Sequence, residues 1–176
     1  ALGITVKGRK IPLGFIQSGS ENSRAIKELL SNIVNRGLRY DEGLLVVIDG
    51  SKGIYKAVKE VFGAHAIIQR CVWHKRENVL SYLPDNKQDH YKKRINKAYH
   101  QDSYNDAKSD LKSIIKDLKT ENMSASRSME EGLEETLTIH RLGLTDYFKR
   151  SFSTTNIIES LNSQVERYLK KVKCLI

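Results

Sequence analysis

The stretch LLVVIDGSKG, residues 44–53, places five apolar residues directly before an aspartate and a glycine. A short apolar run rich in β-branched residues predicts a strand that is buried on both faces. Asp49 then stands at the carboxyl end of that strand, where open sheets commonly place ligands and chemistry. Asp-Gly also opens many turns, so an ordinary turn is the alternative. The full phosphate-loop pattern cannot be placed over residues 50–53, so no nucleotide site is predicted there.

The segments on either side of this run predict a mixed α/β fold, with helices packed on a sheet. Residues 2–6 and 11–17 have strand character and are separated by a hairpin-like turn. Apolar residues at helical spacing predict one helix that Gly37 ends and a second that Gly63 ends. Residues 66–68 predict a further short strand. The predicted order is hairpin, helix, strand, helix, strand.

Beyond about Trp73 the sequence becomes polar and charged and has almost no strand signal. We expect a helical subdomain there, with a polar linker over residues 120–128 and a Glu-rich helix over residues 129–140. A last apolar stripe predicts a long final helix. The expected organisation is a core part, the helical subdomain and the final helix, over residues 1–83, 84–150 and 151–176.

The charge balance favours a polyanionic partner. The 176 residues include 30 Lys and Arg against 21 Asp and Glu, for a net charge of +9. Lysine and arginine bind nucleic acid by neutralising phosphates and releasing counterions, although an ordinary basic protein is the alternative. The run Lys92, Lys93, Arg94 is a DNA-contact candidate or simply a solvated helix face.

Other global features exclude some classes of protein. Two cysteines imply no disulfide framework and favour a reducing compartment. No apolar run approaches the roughly 20 residues that a membrane helix needs.

Cys71-Val72-Trp73-His74 spaces two possible zinc ligands. A structural zinc site needs about four ligands, and the only other cysteine is Cys174. A buried thiol beside a hydrogen-bonded histidine is therefore the simpler interpretation. Glu159, in the stretch TTNIIESLNS, is by periodicity alone a solvent-facing glutamate near the start of a helix.

Three stretches together resemble the mutator-type transposase family, which includes bacterial insertion-sequence transposases. VVIDGSKGIYKAVKEVF, residues 46–62, resembles the family's second catalytic aspartate at a strand end. HAIIQRCVWHKRENV, residues 65–79, resembles its Q-R-C-x-x-H motif followed by Arg and Asn. FSTTNIIESLNSQVER, residues 152–167, resembles T-T-N-x-x-E-x-x-N, which carries the catalytic glutamate. The resemblance runs over nearly the whole chain, in order.

The resemblance implies a ribonuclease-H-like mixed sheet with a helical insertion before the last core helix. It also implies an Asp-Asp-Glu active site that binds two Mg²⁺ (or Mn²⁺) ions. By position, Asp49 is the second acid and Glu159 the third, and both are expected to be catalytic metal ligands. Their carboxylates should then lie within about 10 Å, because a two-metal site is itself only about 4 Å across. The residues expected to support the site are Cys71, His74, Asn156 and Asn162.

The family's first aspartate lies on a strand before residues 2–6, and no such strand precedes them in this sequence. The expectation is therefore a truncated transposase that binds metal weakly and performs little strand transfer alone. The resemblance implies DNA as partner, both transposon ends and target, a homo-oligomer on DNA, and a bacterial cytoplasmic, nucleoid-associated protein. The candidate DNA contacts are Lys52, Arg70, Lys75, Arg76, Lys92, Lys93 and Arg94.

Two other functions are compatible with parts of the pattern. One is a DNA-binding remnant of a transposase without catalysis. The other is a strand-end-Asp phosphohydrolase with a helical cap. That class usually has a second acid two residues after the first, and here the position holds Ser51.

Overall fold

A computed structural model describes residues 1–5, 9–16 and 23–144 of the chain. The fold is mixed α/β, as predicted, and most of the described residues are helical. The strands are β1 (Leu2–Ile4), β2 (Lys10–Pro12), β3 (Leu44–Ile48) and β4 (Ala66–Arg70). The helices are α1 (Ser23–Asn35), α2 (Lys52–Phe62), α3 (Val72–Leu80), α4 (Asp85–Tyr99), α5 (Tyr104–Glu121), α6 (Met123–Glu130), α7 (Leu133–Thr136) and α8 (Thr138–Arg141).

The four described strands form two separate pairs. β1 and β2 are antiparallel, with Leu2 opposite Pro12. β3 and β4 are parallel, with Leu44 opposite Ala66 and Ile48 opposite Arg70. β2 ends at Pro12, earlier than predicted, opposite Leu2, the first residue of its partner strand β1. β4 continues to Arg70, beyond the predicted end, because its pairing with β3 extends that far.

The β3–β4 pair packs on α1 and α2 through one face. Ile48, Val58, Phe62, Ala66 and Ile68 are buried in this first cluster. The remaining residues of β3 are only half-buried. The prediction that this strand is buried on both faces is therefore wrong for the described part of the chain.

The predicted ends of the first two helices are confirmed. Gly37 follows α1 with a φ of 102°, and Gly63 follows α2 with a φ of 55°. Positive φ is accessible to glycine at little cost, so each glycine lets the chain leave its helix.

The helices α3 to α8 enclose a second and larger hydrophobic cluster. The predicted polar linker at 120–128 is wrong, since α6 occupies most of it. Asn122 begins α6, because its side-chain oxygen accepts hydrogen bonds from the amides of Ser124 and Ala125 at 2.9 and 3.0 Å. The predicted Glu-rich helix is instead the end of α6 followed by α7 and α8, because Gly132, at a φ of 66°, breaks it.

α3 joins the two parts of the fold. It begins directly after β4, yet its last turn places Val79 and Leu80 in the second cluster. The domain boundary at residue 84 stays a prediction. Within residues 1–5, 9–16 and 23–144, no helix has the length and apolar character needed to cross a membrane.

Candidate active site

Asp49 directly follows β3, and its side chain is exposed at the carboxyl end of the parallel pair. Its Oδ1 accepts a hydrogen bond from the Ser51 amide at 3.0 Å. The Ser51 hydroxyl in turn accepts a hydrogen bond from the Ile54 amide at 3.3 Å and so caps α2. The turn between strand and helix thus orients this carboxylate toward solvent, as a ligand or reacting group at a strand end requires.

A cleft of about 220 Å³ lies at the same end of the strands. We call it the strand-end cleft. Lys52 and Tyr55 of α2 line one wall, and residues from the turn before α7 line the other. The lining residues that reasoning from the sequence did not single out are Tyr55, Glu131, Gly132 and Glu135. Gly132 was the one available signal, because an isolated glycine in a helical pattern often marks a break.

Arg70, the last residue of β4, lies between two glycines. Ideal Cβ atoms on Gly50 and Gly132 would lie 2.6 and 2.5 Å from its terminal nitrogens Nη2 and Nη1. Nη1 donates to the Glu131 carbonyl at 3.3 Å, and Nη2 lies 3.7 Å from the Glu131 carboxylate. Its buried Nε has no hydrogen-bond partner among the described residues. Arg70 therefore connects the Asp49 turn to the helical subdomain.

Lys75, a predicted DNA contact, is 1% exposed, so its ammonium is held inside the described part of the chain. Its ammonium donates to the carbonyls of Ser128 and Glu131 at 2.5 Å each. These carbonyls lie at the end of α6, where helix carbonyls have no partner within the helix. Burial lowers the pKa of Lys75 to about 8; nearby Arg70 acts in the same direction, and the Glu131 carboxylate opposes it.

The Cys-x-x-His motif lies beside the Asp49 strand end. Cys71 is buried at the start of α3, and its amide donates to the Ile48 carbonyl at 2.7 Å. Its Sγ lies 3.3 Å from Nδ1 of His74. Across residues 1–5, 9–16 and 23–144, no three His, Cys, Asp or Glu side chains form a group that could hold a metal. The motif there is a buried thiol paired with a histidine.

The remaining DNA-contact candidates differ in how available their charges are. Arg76 donates to Glu77 and, at 2.7 Å, to Asn96, so its guanidinium is held against α3 and α4. Arg94 pairs with Asp117 at 2.5 Å. Lys93 pairs with Asp89 at 2.9 Å on an exposed face. The two other lysines, Lys52 and Lys92, are also exposed.

Three predicted site residues lie outside the described residues: Asn156, Glu159 and Asn162. The predicted separation of the Asp49 and Glu159 carboxylates therefore stays a prediction.

Comparison with known proteins assigns the chain to a family. The profile of the family described as Transposase, Mutator family, matches residues 1–175. The chain belongs to the Mutator family of transposases. This confirms the family that the three sequence motifs indicated.

Curated relatives extend the comparison to insertion sequences. The chain is 31% identical over 167 residues to the transposase for insertion sequence element ISRM5 of Rhizobium meliloti, covering 95% of this chain and 41% of the relative. It is 29% identical over 171 residues to the transposase for IS905 of Lactococcus lactis, covering 97% of this chain and 42% of the relative. A shorter match, 37% over 83 residues, is to the transposase for IS6120 of Mycolicibacterium smegmatis. This Mutator-family chain thus spans about two fifths of the length of the first two relatives.

Proposed function

We propose that this chain forms part of the catalytic domain of a DNA transposase, which cuts and joins DNA with the help of divalent metal ions. The observation that carries the proposal is the exposed Asp49 carboxylate at the carboxyl end of the β3–β4 pair, in a chain of the Mutator family. Transposon-end and target DNA would be the substrates, and a homo-oligomer on DNA the assembly.

The donor chemistry at Asp49 fits a hard cation. Mg²⁺ prefers oxygen ligands and is commonly held by one or two carboxylates together with substrate phosphates. Asp49 offers an exposed carboxylate that the Ser51 amide orients. Glu159 would supply the second carboxylate in this proposal. The bound ions would activate the attacking oxygen and stabilise the leaving one.

The surrounding residues would position the DNA strand. Lys52 lies in the first turn of α2, where the amino end of the helix also favours an anion. The cleft thus carries the positive charges of Lys52 and Arg70 on its lining, together with the carboxylates of Glu131 and Glu135. A phosphate contacted by Lys52 would have its negative charge partly neutralised close to the reacting group. Cys71 and His74, with Asn156 and Asn162, would support this arrangement.

A ribonuclease-H-like core is the fold proposed for the domain. The antiparallel β1–β2 hairpin and the parallel β3–β4 pair have the pairing directions that such a mixed sheet needs. In a sheet of that type a further strand lies between the hairpin and β3. Among the described strands β3 pairs only with β4, so its second edge is available for that strand.

Metal binding tests the active site. Mn²⁺ binding to the 176-residue chain, followed by electron paramagnetic resonance, should be weak and should weaken further in Asp49→Asn and in Glu159→Gln. If both carboxylates hold the same ions, the double variant should lose little more than either single variant. Asp41→Asn is the matched control, because Asp41 is an exposed carboxylate that pairs with Arg39 beyond the opposite end of β3. Equal loss in the control would count against the site.

Catalysis is tested on DNA. The proposed Asp-Asp-Glu site has three carboxylates, and Asp49 and Glu159 are two of them. We therefore expect the 176-residue chain alone to join transposon-end DNA poorly in Mg²⁺ or Mn²⁺. Any metal-dependent cleavage should disappear in Asp49→Asn. Robust joining by the 176-residue chain, or cleavage that survives this substitution, would contradict the proposed assignment.

A further inference from the structure

α5 separates its charges onto two flanks. On one flank, Asp117 and Glu121 pair with Arg94 (2.5 Å) and Lys87 of α4, and Asp110 accepts a hydrogen bond at 2.7 Å from Gln101, which follows α4. The apolar residues between the flanks are buried in the second cluster. The other flank is exposed and is formed by Ser109, Lys112, Ser113, Lys116 and Lys119. We call Lys112, Lys116 and Lys119 the lysine stripe.

Among the described residues, no acid pairs with the lysine stripe. At three and four residues from each of these lysines, where a helix places its side-chain neighbours, the sequence has no Asp or Glu. Across the part of the chain that the structure describes, none of the three forms an ion pair. Elsewhere exposed cations do pair along their helices, as Arg24 does with Glu28 and Lys93 with Asp89. An ordinary solvated helix face would be expected to mix its charges in the same way.

An ion pair one turn before the lysine stripe links α5 to the segment that follows the wall of the strand-end cleft. One turn before Lys112, the Lys108 ammonium lies 2.6 Å from the Glu134 carboxylate. Glu134 is in α7, which begins directly after Gly132 on the cleft wall. At about 1.5 Å per residue, the stripe extends about 10 Å along α5. Successive phosphates of one DNA strand rise about 3.4 Å along the duplex, so this length matches about three phosphates.

We propose that the lysine stripe binds the phosphate backbone of duplex DNA that extends from the strand-end cleft along α5. This inference rests on the proposed function, because it assumes that the cleft receives DNA. It moves the principal DNA contact of the helical subdomain away from Lys75, Arg76 and Arg94, whose charges are engaged within the protein. The serines on the same flank would add hydrogen bonds to phosphate oxygens.

The experiment measures binding of a short labelled DNA duplex to the 176-residue chain by fluorescence anisotropy. The buffer contains EDTA and roughly 50–200 mM salt, a range over which phosphate contacts change affinity strongly. In the triple variant Lys112→Gln, Lys116→Gln, Lys119→Gln, the slope of log K against log salt should fall by about 2.7, since each lost phosphate contact contributes about 0.9. With equal affinity at 1 M salt, a slope difference of about 2.7 corresponds to binding that is roughly 500-fold weaker at 0.1 M salt.

The matched control is the triple variant Lys27→Gln, Lys56→Gln, Lys87→Gln. It removes the same charge from lysines that pair with Glu60 and Glu121. Its salt slope should equal that of the wild type, and urea unfolding should show that both variants fold. An unchanged slope in the stripe variant, an equal loss in the control, or no DNA binding by the wild type would overturn the proposal.

The two proposals fail separately. Because EDTA removes the metal, the salt slope of DNA binding is measured without any contribution from metal ions at Asp49. If Mn²⁺ binding were unchanged in Asp49→Asn and in Glu159→Gln, the proposed active site would be overturned, and the test of the lysine stripe would be unaffected.

Discussion

Gly50 is constrained both by its backbone and by its neighbour. Its φ is 104°, and a Cβ there would lie 2.6 Å from Nη2 of Arg70. We expect Gly50→Ala to lower the free energy of unfolding by about 2–4 kcal/mol, because backbone strain and a displaced guanidinium add together. Urea unfolding monitored by circular dichroism measures this change.

Gly37→Ala is the control for Gly50→Ala. Gly37 has a nearly equal φ of 102°, and nothing lies within 4 Å of a Cβ built on it. It should therefore show only the backbone cost, about 1–2 kcal/mol. Equal losses in the two variants would mean that the Arg70 contact contributes nothing.

Lys75 makes stability depend on pH. Its pKa in the folded chain is lowered from 10.5 to about 8, chiefly by burial. Between these two pKa values the unfolded chain binds more protons than the folded chain, so the free energy of unfolding should rise with pH from about 8 to 10.5. From pH 7.5 to 9.5 the free energy of unfolding of the wild type should rise by about 2 kcal/mol relative to Lys75→Met. Urea unfolding at several pH values tests this, and a constant difference between the two proteins would contradict it.

Single residues were predictable where the signal was local. Asp49 at a strand end follows from an apolar run that stops at Asp-Gly. The internal roles of Arg70 and Lys75 do not follow from local sequence. Both meet the Glu131 carbonyl, more than fifty positions away, and only the folded chain brings these groups together.

Thr138 satisfies a backbone group of β4 in place of a neighbouring strand. Its hydroxyl donates to the Ile68 carbonyl at 2.7 Å, and both groups are buried. Thr138→Val keeps the shape and leaves that carbonyl without this donor, so we expect a loss of about 1–3 kcal/mol. Thermal or urea unfolding measures it.

Thr120→Val is the matched control, since the Thr120 hydroxyl donates to the Asp117 carbonyl at 2.8 Å on an exposed helix end. Water can replace that bond, so the control should lose less than about 0.5 kcal/mol. A similar loss in both variants would show that burial of the Ile68 carbonyl has no special weight.

Elements with strong periodicity or clear end signals were predicted well. The helices α1 and α2 follow from their apolar spacing, and Gly37 and Gly63 mark their ends. α6 was missed because its sequence is polar, although Asn122 is a typical first residue for a helix. Strand lengths were wrong because pairing partners fix them, and those partners lie far away in sequence.

The two hydrophobic clusters should unfold together. The side chain of Gln69, in β4, donates a hydrogen bond to the Thr136 carbonyl at 2.9 Å and accepts one from the Ile139 amide at 3.0 Å. These two bonds connect the β3–β4 pair to the helices of the second cluster. Leu111→Ala, at a fully buried position, should cost about 2–5 kcal/mol. Trp73, on the connecting helix α3, should report the same urea midpoint as circular dichroism.

Leu142→Ala is the control for Leu111→Ala, because Leu142 is 39% exposed and should change stability little. Separate midpoints for Trp73 fluorescence and circular dichroism would instead show that the two clusters unfold independently.

The sequence indicated the candidate site as a whole only through the joint occurrence of three motifs, and the part of the site that contains Glu159 stays a prediction. Charge and periodicity alone left Asp49 as a turn residue and Glu159 as a surface residue. The charge separation on α5 is visible in the sequence once the helix is known, because a wheel of residues 104–121 places its acids and lysines on opposite flanks.

The place of Arg70 between two glycines has a consequence for how this sequence can change. The Arg70 side chain fills the space that a side chain at position 50 or 132 would need, so the residue sizes at these three positions depend on one another. Position 132, in a left-handed conformation, could accept asparagine as far as its backbone is concerned. It can do so only in a sequence whose residue 70 has become shorter. Aligned relatives should therefore exchange these positions as a set, and a relative that retains the arginine should retain both glycines.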